Sequence, residues 1–549
     1  MPDYLASDLL LEQLLAEGTE IVFGTPRAQD SLLVAAIEQR KQEVQYIQSL
    51  HENLACAHAI GYAQASGKAG VVCLPTGPGL ISALTSAYSA KLMRVPLVIL
   101  TEQPDLEILN DEPPLSADVV RLAAPLCKWT CQLNAVTELS RLVRRAFHEA
   151  LSAPKGPVVL SLPINLLSSR STAKSVAVPH ASPLGGADDV FLRKVAEKLV
   201  QAKLPCIIAG NEVSLYRARS EAIALAEVIG CPVFVEPLPT GVNFSNRHHL
   251  FASVLPHDSA RAAALLKNFD LILVLGMQTR PSSRSFEPPF IPANATVLQI
   301  NIEPGLQGRG LPNDLSATAD IKESLSRLRT EIQLTASSEW INAAKDREER
   351  TRGAISASKS AYEESLKYPN HAAKISMPWL LRTLEAIRPN RSVVVNDLCA
   401  SEPHVMESLA FEHSFAYFSS NSGVLGYGPA AAAGVLFASP NSTVICLTDD
   451  QSLLAYPQVL WTAALYDLNV KFIVLNMCGR KAFNLRLTRQ NATAHRGLQS
   501  LPVQFAELCK TYGINHTLAE DMKSLEKSLK TIFENKGPYL LEAVVDIPV

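Results

Sequence analysis

No stretch of the 549-residue sequence runs for about 18 uninterrupted apolar residues, so no membrane span is expected. The first residues, Met1-Pro2-Asp3-Tyr4, carry no basic segment leading into an apolar run and do not read as a secretory signal. The ten cysteines are scattered. The closest pair, Cys127 and Cys131, fits neither a zinc ribbon nor a redox CxxC motif, so free thiols in a reducing cytoplasm are expected. Lysine and arginine form no stripe and the formal net charge is only -3, which argues against a nucleic-acid partner. Internal repeats and low-complexity tracts are missing as well.

What is present is a chain with 47% apolar and 19% charged residues, enough to bury several cores. Its length suggests three or four domains. Residues 4–17 carry leucines at helical spacing and stop at Gly18. Short apolar runs at 20–24, 70–74, 95–100 and 156–163 read as buried strands separated by helical stretches. Residues 164–188, rich in Ser, Ala and Pro, read as a linker. A second alternating block has strand-like runs at 206–209, 232–235, 271–275 and 296–300, and the polar stretch 336–372 reads as another connecting segment. A third block has runs at 392–395, 443–447, 470–475 and 539–544. Such alternation predicts an α/β protein of three doubly wound domains with mostly parallel sheets, at about 1–170, 185–335 and 373–549.

Five short constellations could carry chemistry. His51-Glu52-Asn53 opens a helix of small residues, which places Glu52 at the positive end of the helix dipole. The same carboxylate also reads as a simple helix-terminal charge. Pro75-Thr76-Gly77-Pro78-Gly79 follows a strand and offers free N–H groups to an anion or a flat ring, as many strand-to-helix turns do. Leu425-Gly426-Tyr427-Gly428-Pro429 precedes four alanines and implies close backbone approach, either to a ligand or within helix–sheet packing. Thr448-Asp449-Asp450 ends a strand, where open α/β sheets bind ligands; it reads as a hard-cation site or as an acidic helix cap. Asn476-Met477-Cys478-Gly479-Arg480-Lys481 ends the next strand, its basic pair facing a phosphate or solvent.

Together these pieces resemble the acetolactate synthase and pyruvate decarboxylase family of thiamine-diphosphate enzymes, over most of the chain from Leu5 to Val544. Val22-Phe23-Gly24-Thr25-Pro26 is similar to the family's VFGxPG turn, with Arg27 in place of its last glycine. Thr76-Gly77-Pro78-Gly79 resembles its SGPG loop, and Gly426-Tyr427-Gly428 its GYG turn. The resemblance implies a pyrimidine-binding, a central and a diphosphate-binding domain. It implies Glu52 as the catalytic acid that hydrogen-bonds the aminopyrimidine, and Leu425 as the wedge that bends the cofactor. Pro26, Thr76, Gly426, Asp449, Asp450, Asn476 and Arg480 are then expected around the cofactor, with Asp449, Asn476 and Gly479 around magnesium. In that family the pyrimidine's imino nitrogen removes the thiazolium C2 proton by proximity, and the thiazolium ring serves as an electron sink when a 2-oxo acid loses carbon dioxide.

The departures cluster at the metal. The family's GDG is here Thr448-Asp449-Asp450, and residues 451 to 475, 25 in number, keep the family's spacing to Asn476-Met477. Met477 stands where a second asparagine normally ligates the ion, and a thioether is a poor magnesium ligand. Asp450, Asn476, Arg480 or Lys481 would have to compensate, or the cofactor is not bound. Pro114-Leu115-Ser116 replaces a Phe-Gln-Glu run of acetolactate-forming members, which favours a specialised activity. His51, Thr25, Gln103 and the stretch near Phe483 are candidate pocket residues. The loop Met277-Gln278-Thr279-Arg280 shows no nucleotide signature, so FAD is not expected. The expected protein is a cytoplasmic homodimer or homotetramer, a decarboxylase or carboligase (a lyase or transferase) of a 2-oxo acid. The alternative is a non-catalytic homologue acting as a partner or regulatory subunit.

Overall fold

The structure, a computed structural model, describes residues 4–25, 31–178, 184–281, 289–366, 374–398, 402–477 and 503–546. Three parallel sheets succeed one another. The first has the spatial order Gln45–Gln48, Ile21–Gly24, Gly70–Leu74, Leu97–Gln103, Pro157–Pro163, Trp129–Gln132. The second runs Phe251–Val254, Val233–Val235, Pro205–Ala209, Leu271–Leu275, Thr296–Asn301, Leu315–Thr318. In the third, Ile375–Ser376, Tyr539–Asp546, Val470–Asn476, Val444–Asp449, Val393–Asn396 and Tyr417–Ser419 lie side by side, and Asn515–Ala519 also pairs with Tyr539–Asp546. Helices on both faces explain why central strands such as Gly70–Leu74 and Leu271–Leu275 are apolar at nearly every position and wholly buried.

The three-block α/β architecture read from the sequence is what the chain adopts. Most expected strands differ only at their ends; the run at 95–100, for example, becomes Leu97–Gln103. Two connecting segments need correction. Within 164–188 the chain forms a short helix, Ile164–Leu167, and a strand, Arg170–Ser171, that pairs antiparallel with Tyr4–Leu5. The polar stretch from 336 is a 28-residue helix, Ser338–Ser365. Its anchor is local: buried Arg347 donates to the carbonyl of Ile229, and Gly230 packs against the helix backbone at Ala344. A mostly solvated helix with so small a buried face shows little hydrophobic periodicity.

The domains share their interior. One apolar core unites the inner faces of the first and third sheets through the helices Glu52–Ser66 and Tyr427–Ala438. These two helices cross so closely that a methyl group on Gly61 would overlap the backbone of Ala431, and one on Gly434 would overlap that of His58. A second core joins the central and third sheets. The eight described cysteines are all free. Among the described residues no helix is long and apolar enough to cross a membrane.

Candidate active site

In an open parallel sheet, ligands bind where the strand order reverses, beyond the strand C-termini. In the first sheet that point lies between Ile21–Gly24 and Gly70–Leu74. The second of these leads into Pro75-Thr76-Gly77, where Gly77 takes φ 55° and backs onto the carbonyl of Leu115, leaving no room for a side chain. Thr76 is buried and its hydroxyl donates to the Gln103 amide oxygen at 2.9 Å. Gln103 in turn donates to the Ala117 carbonyl at 2.8 Å. Nearby, His51 caps the Glu52–Ser66 helix: its Nδ1 accepts from the Asn53 N–H at 3.1 Å. Glu52, the first helical residue, is 7% exposed. The Asn53 amide oxygen accepts from the Ser86 N–H and hydroxyl, clamping this helix to Pro78–Met93.

The third sheet repeats the device. Its order reverses between Val393–Asn396 and Val444–Asp449, so Asp397 and Asp449 stand at neighbouring strand ends. Asp449 is the N-cap of the helix Asp450–Ala455 and accepts from the Ser452 N–H at 2.7 Å. The Ser452 hydroxyl donates to the buried Asp397 and accepts from the Gly426 N–H at 2.7 Å. Burial, with the Asp449 charge adding to it, pushes the Asp397 carboxyl up to about 7 despite the hydrogen bond from Ser452. Burial also raises Asp449. Leu425 points out and is 53% exposed.

The helix crossing runs the two helices in opposite senses and ties the first domain to the third within the chain. The His51 ring contacts the Tyr456 ring at 5.1 Å between centroids, and Tyr456 packs on Gly426. The Tyr427 hydroxyl donates to Gln64, near the far end of the Glu52 helix. The Gln48 N–H donates to the Tyr466 hydroxyl at 2.8 Å.

Comparison with known proteins agrees with this three-domain architecture. The chain matches three family models in order: thiamine pyrophosphate enzyme, N-terminal TPP binding domain, over residues 5–120; central domain, over 192–328; and C-terminal TPP binding domain, over 404–543. The chain belongs to the thiamine pyrophosphate enzyme family. It is 27% identical to an acetolactate synthase large subunit from Lactococcus lactis, with 98% of this chain and 92% of that one covered. It is 25% identical to a benzoylformate decarboxylase from Pseudomonas aeruginosa, with 97% of each covered. Among solved structures, a thiamine diphosphate-dependent 4-hydroxybenzoylformate decarboxylase from Rhodococcus jostii superposes with a TM-score of 0.86 at 24% identity, covering 99% of this chain and 100% of that one. That structural likeness establishes the fold.

For a thiamine pyrophosphate enzyme, the structure brings together some of the residues singled out in the sequence and not others. Glu52, Thr76 and Gln103 sit at or beside the first sheet's switch point, and Gly426, Asp449 and Asp450 at or beside the third's. Pro26, Gly479, Arg480, Lys481 and Phe483 lie outside the described residues. Of the residues expected near the cofactor's rings, Glu52 is buried and Leu425 is exposed, with open space around Gly423 two residues earlier. The metal end is different. Asn476 donates at 2.6 Å to Glu542 on Tyr539–Asp546, the neighbour on the side away from Asp449, and Met477 packs into the apolar core. Asp449 is already engaged as a cap. Among the described residues no group of three or more His, Cys, Asp and Glu side chains is arranged to hold a metal. Of the magnesium ligands expected from the sequence, Asp449 caps a helix, Asn476 is turned to Glu542 and Gly479 lies outside the described residues, so the described donors do not assemble an ordinary magnesium site. Sequence reasoning missed Asp397, Ser452 and Tyr456. Asp397 lies two residues past an expected strand, 392–395, so an acid near a strand end was its available signal; Ser452 and Tyr456 had none.

Proposed function

We propose that this chain is a thiamine-diphosphate-dependent decarboxylase or carboligase acting on a 2-oxo acid, working as a homodimer or dimer of dimers. The observation that carries this reading is the buried Glu52 at the start of a helix locked onto the one that follows Gly426. That crossing joins the two domains that match the TPP binding models. When bound, the cofactor supplies a carbon nucleophile for the substrate carbonyl and an electron sink as carbon dioxide leaves. Glu52 would hold a proton against the aminopyrimidine nitrogen. Leu425 would press on the bent cofactor, and the buried walls around Thr76 and Gln103 would exclude water. Arg480 and Asp450 are the proposed neighbours of the diphosphate. The relatives' names, an acetolactate synthase and a benzoylformate decarboxylase, support a 2-oxo acid as the donor. The loop at Pro114-Leu115-Ser116, pressed on Gly77 through the Leu115 carbonyl, supports a specialised rather than a housekeeping acceptor.

The test is turnover of a panel of 2-oxo acids, followed as carbon dioxide release, with thiamine diphosphate and magnesium added. Release from at least one acid, with the cofactor retained in native mass spectrometry, is the expected result. Neither retention nor release would overturn the reading and favour a non-catalytic partner subunit, which the displaced Asn476 and Met477 would then explain.

A further inference from the structure

The three domains meet around a cavity of about 440 Å³ at the far end of the Glu52 helix. Gln64 and Gly67 contribute from that helix's end, Lys155 from the first domain, Tyr216 and Arg217 from the central one, and Phe415 from the third. At 1.5 Å per residue, Gln64 stands roughly 18 Å along the helix from Glu52, so the cavity is well removed from that carboxyl.

The lining is cationic and carries no acidic side chain. Arg94 is neutralised by its ion pair with Glu303. Lys155 and Arg217 have no carboxylate partner among the described residues. The Lys155 ammonium lies over the Tyr216 ring at 5.4 Å from its centroid, and the Arg217 guanidinium stands over Gly67. Burial and the nearby Arg217 charge lower the Lys155 pKa, as expected for two cations facing a cavity without an anion. Thr240, also in the lining, is 3% exposed, and its hydroxyl oxygen makes no hydrogen bond among the described residues. A buried polar atom left in that state is costly unless something fills the space beside it. The Phe415 ring is 46% exposed and forms an apolar wall with Tyr216. The volume falls within the range of small-molecule sites.

We propose that this cavity is a second binding site, taking a small organic anion whose carboxylate or phosphate is held by Lys155 and Arg217 and whose flat apolar body lies against Tyr216 and Phe415. An occupant there would also touch Gln64, which accepts from Tyr427 at the start of the helix after Gly426. The site therefore reaches both cofactor-binding domains from behind.

The test is titration calorimetry on the full chain with two probes, benzoate and phenyl phosphate, which separate a carboxylate from a phosphate preference. At least one probe should bind once per chain. Arg217→Glu, a change on an exposed side chain, should weaken that binding about tenfold or more, as loss of a charge-assisted contact does, and Lys155→Met should do the same. Glu52→Gln should leave it unchanged. No binding of either probe, binding that survives Arg217→Glu, or binding lost in Glu52→Gln would each overturn the proposal. Because the cavity is a helix length from Glu52, and turnover and cofactor retention are measured separately, either result leaves the thiamine diphosphate reading standing.

Discussion

Three side chains separate competing roles. Glu52→Gln keeps the size and burial of the side chain but removes its acid function. It is expected to lower kcat by roughly 10²–10⁴-fold while cofactor retention changes little, as measured by turnover and native mass spectrometry on the same preparation. Asp449 has two candidate duties, helix cap and cofactor neighbour, and a pair of variants divides them. Asn is as good a cap as Asp, so Asp449→Asn should leave Tm nearly unchanged, whereas Asp449→Ala should cost about 1 kcal/mol. If Asp449 also serves the cofactor's metal–diphosphate end, both variants should weaken cofactor binding in calorimetry. Glu212 in the central domain bears on pH. Burial raises it to about 7, against hydrogen bonds from the Ile302 N–H and the Asn301 amide. A carboxyl raised in the fold stabilises it while protonated, and that stability is lost as pH rises from the ordinary 4.5 through about 7. Glu212→Gln should therefore gain on the wild type across that window, by up to on the order of 3 kcal/mol, with no further gain above it; thermal melts between pH 5 and 8.5 measure the difference. At this scale the sequence revealed residues that sit inside a local motif, such as Glu52 and Thr76. It hid Asp397 and Ser452, whose partnership exists only because strands 50 residues apart lie side by side.

Elements were legible wherever burial covered both faces. Runs such as 70–74 and 271–275 are continuous because helices cover each side of their sheets, and the structure keeps their boundaries. Trp129–Gln132, an edge strand of half-exposed residues, and Tyr417–Ser419, only three residues long, left no such run. The Ser338–Ser365 helix was read as a connection because buried positions on it, Ala344 and Arg347, are so few. The closest element contact is the crossing of Glu52–Ser66 with Tyr427–Ala438, made possible by Gly61 and Gly434. Gly434→Val should push the helices apart, lowering stability by about 1–3 kcal/mol or more and weakening cofactor binding in parallel; denaturant melts and calorimetry report the two effects. A variant with native stability and binding would show that the crossing is not what sets the distance between the two strand-end sites.

Across the whole molecule, the order of domains was written in the sequence because each contributes its own alternation of strand and helix. How they lock together was not, since the shared cores and the crossing depend on residues hundreds of positions apart. The proposed function includes a second chain against the first, and sedimentation should find a dimer or tetramer. That leaves Leu425, 53% exposed in the single chain, to be covered by cofactor and partner. The account stands or falls on thiamine diphosphate reaching Glu52. Purified wild type and Glu52→Gln, each supplied with thiamine diphosphate and magnesium, should both retain the cofactor, but only the wild type should release carbon dioxide from a 2-oxo acid. A wild type that retains no cofactor, or a Glu52→Gln variant that turns over at the wild-type rate, would contradict it.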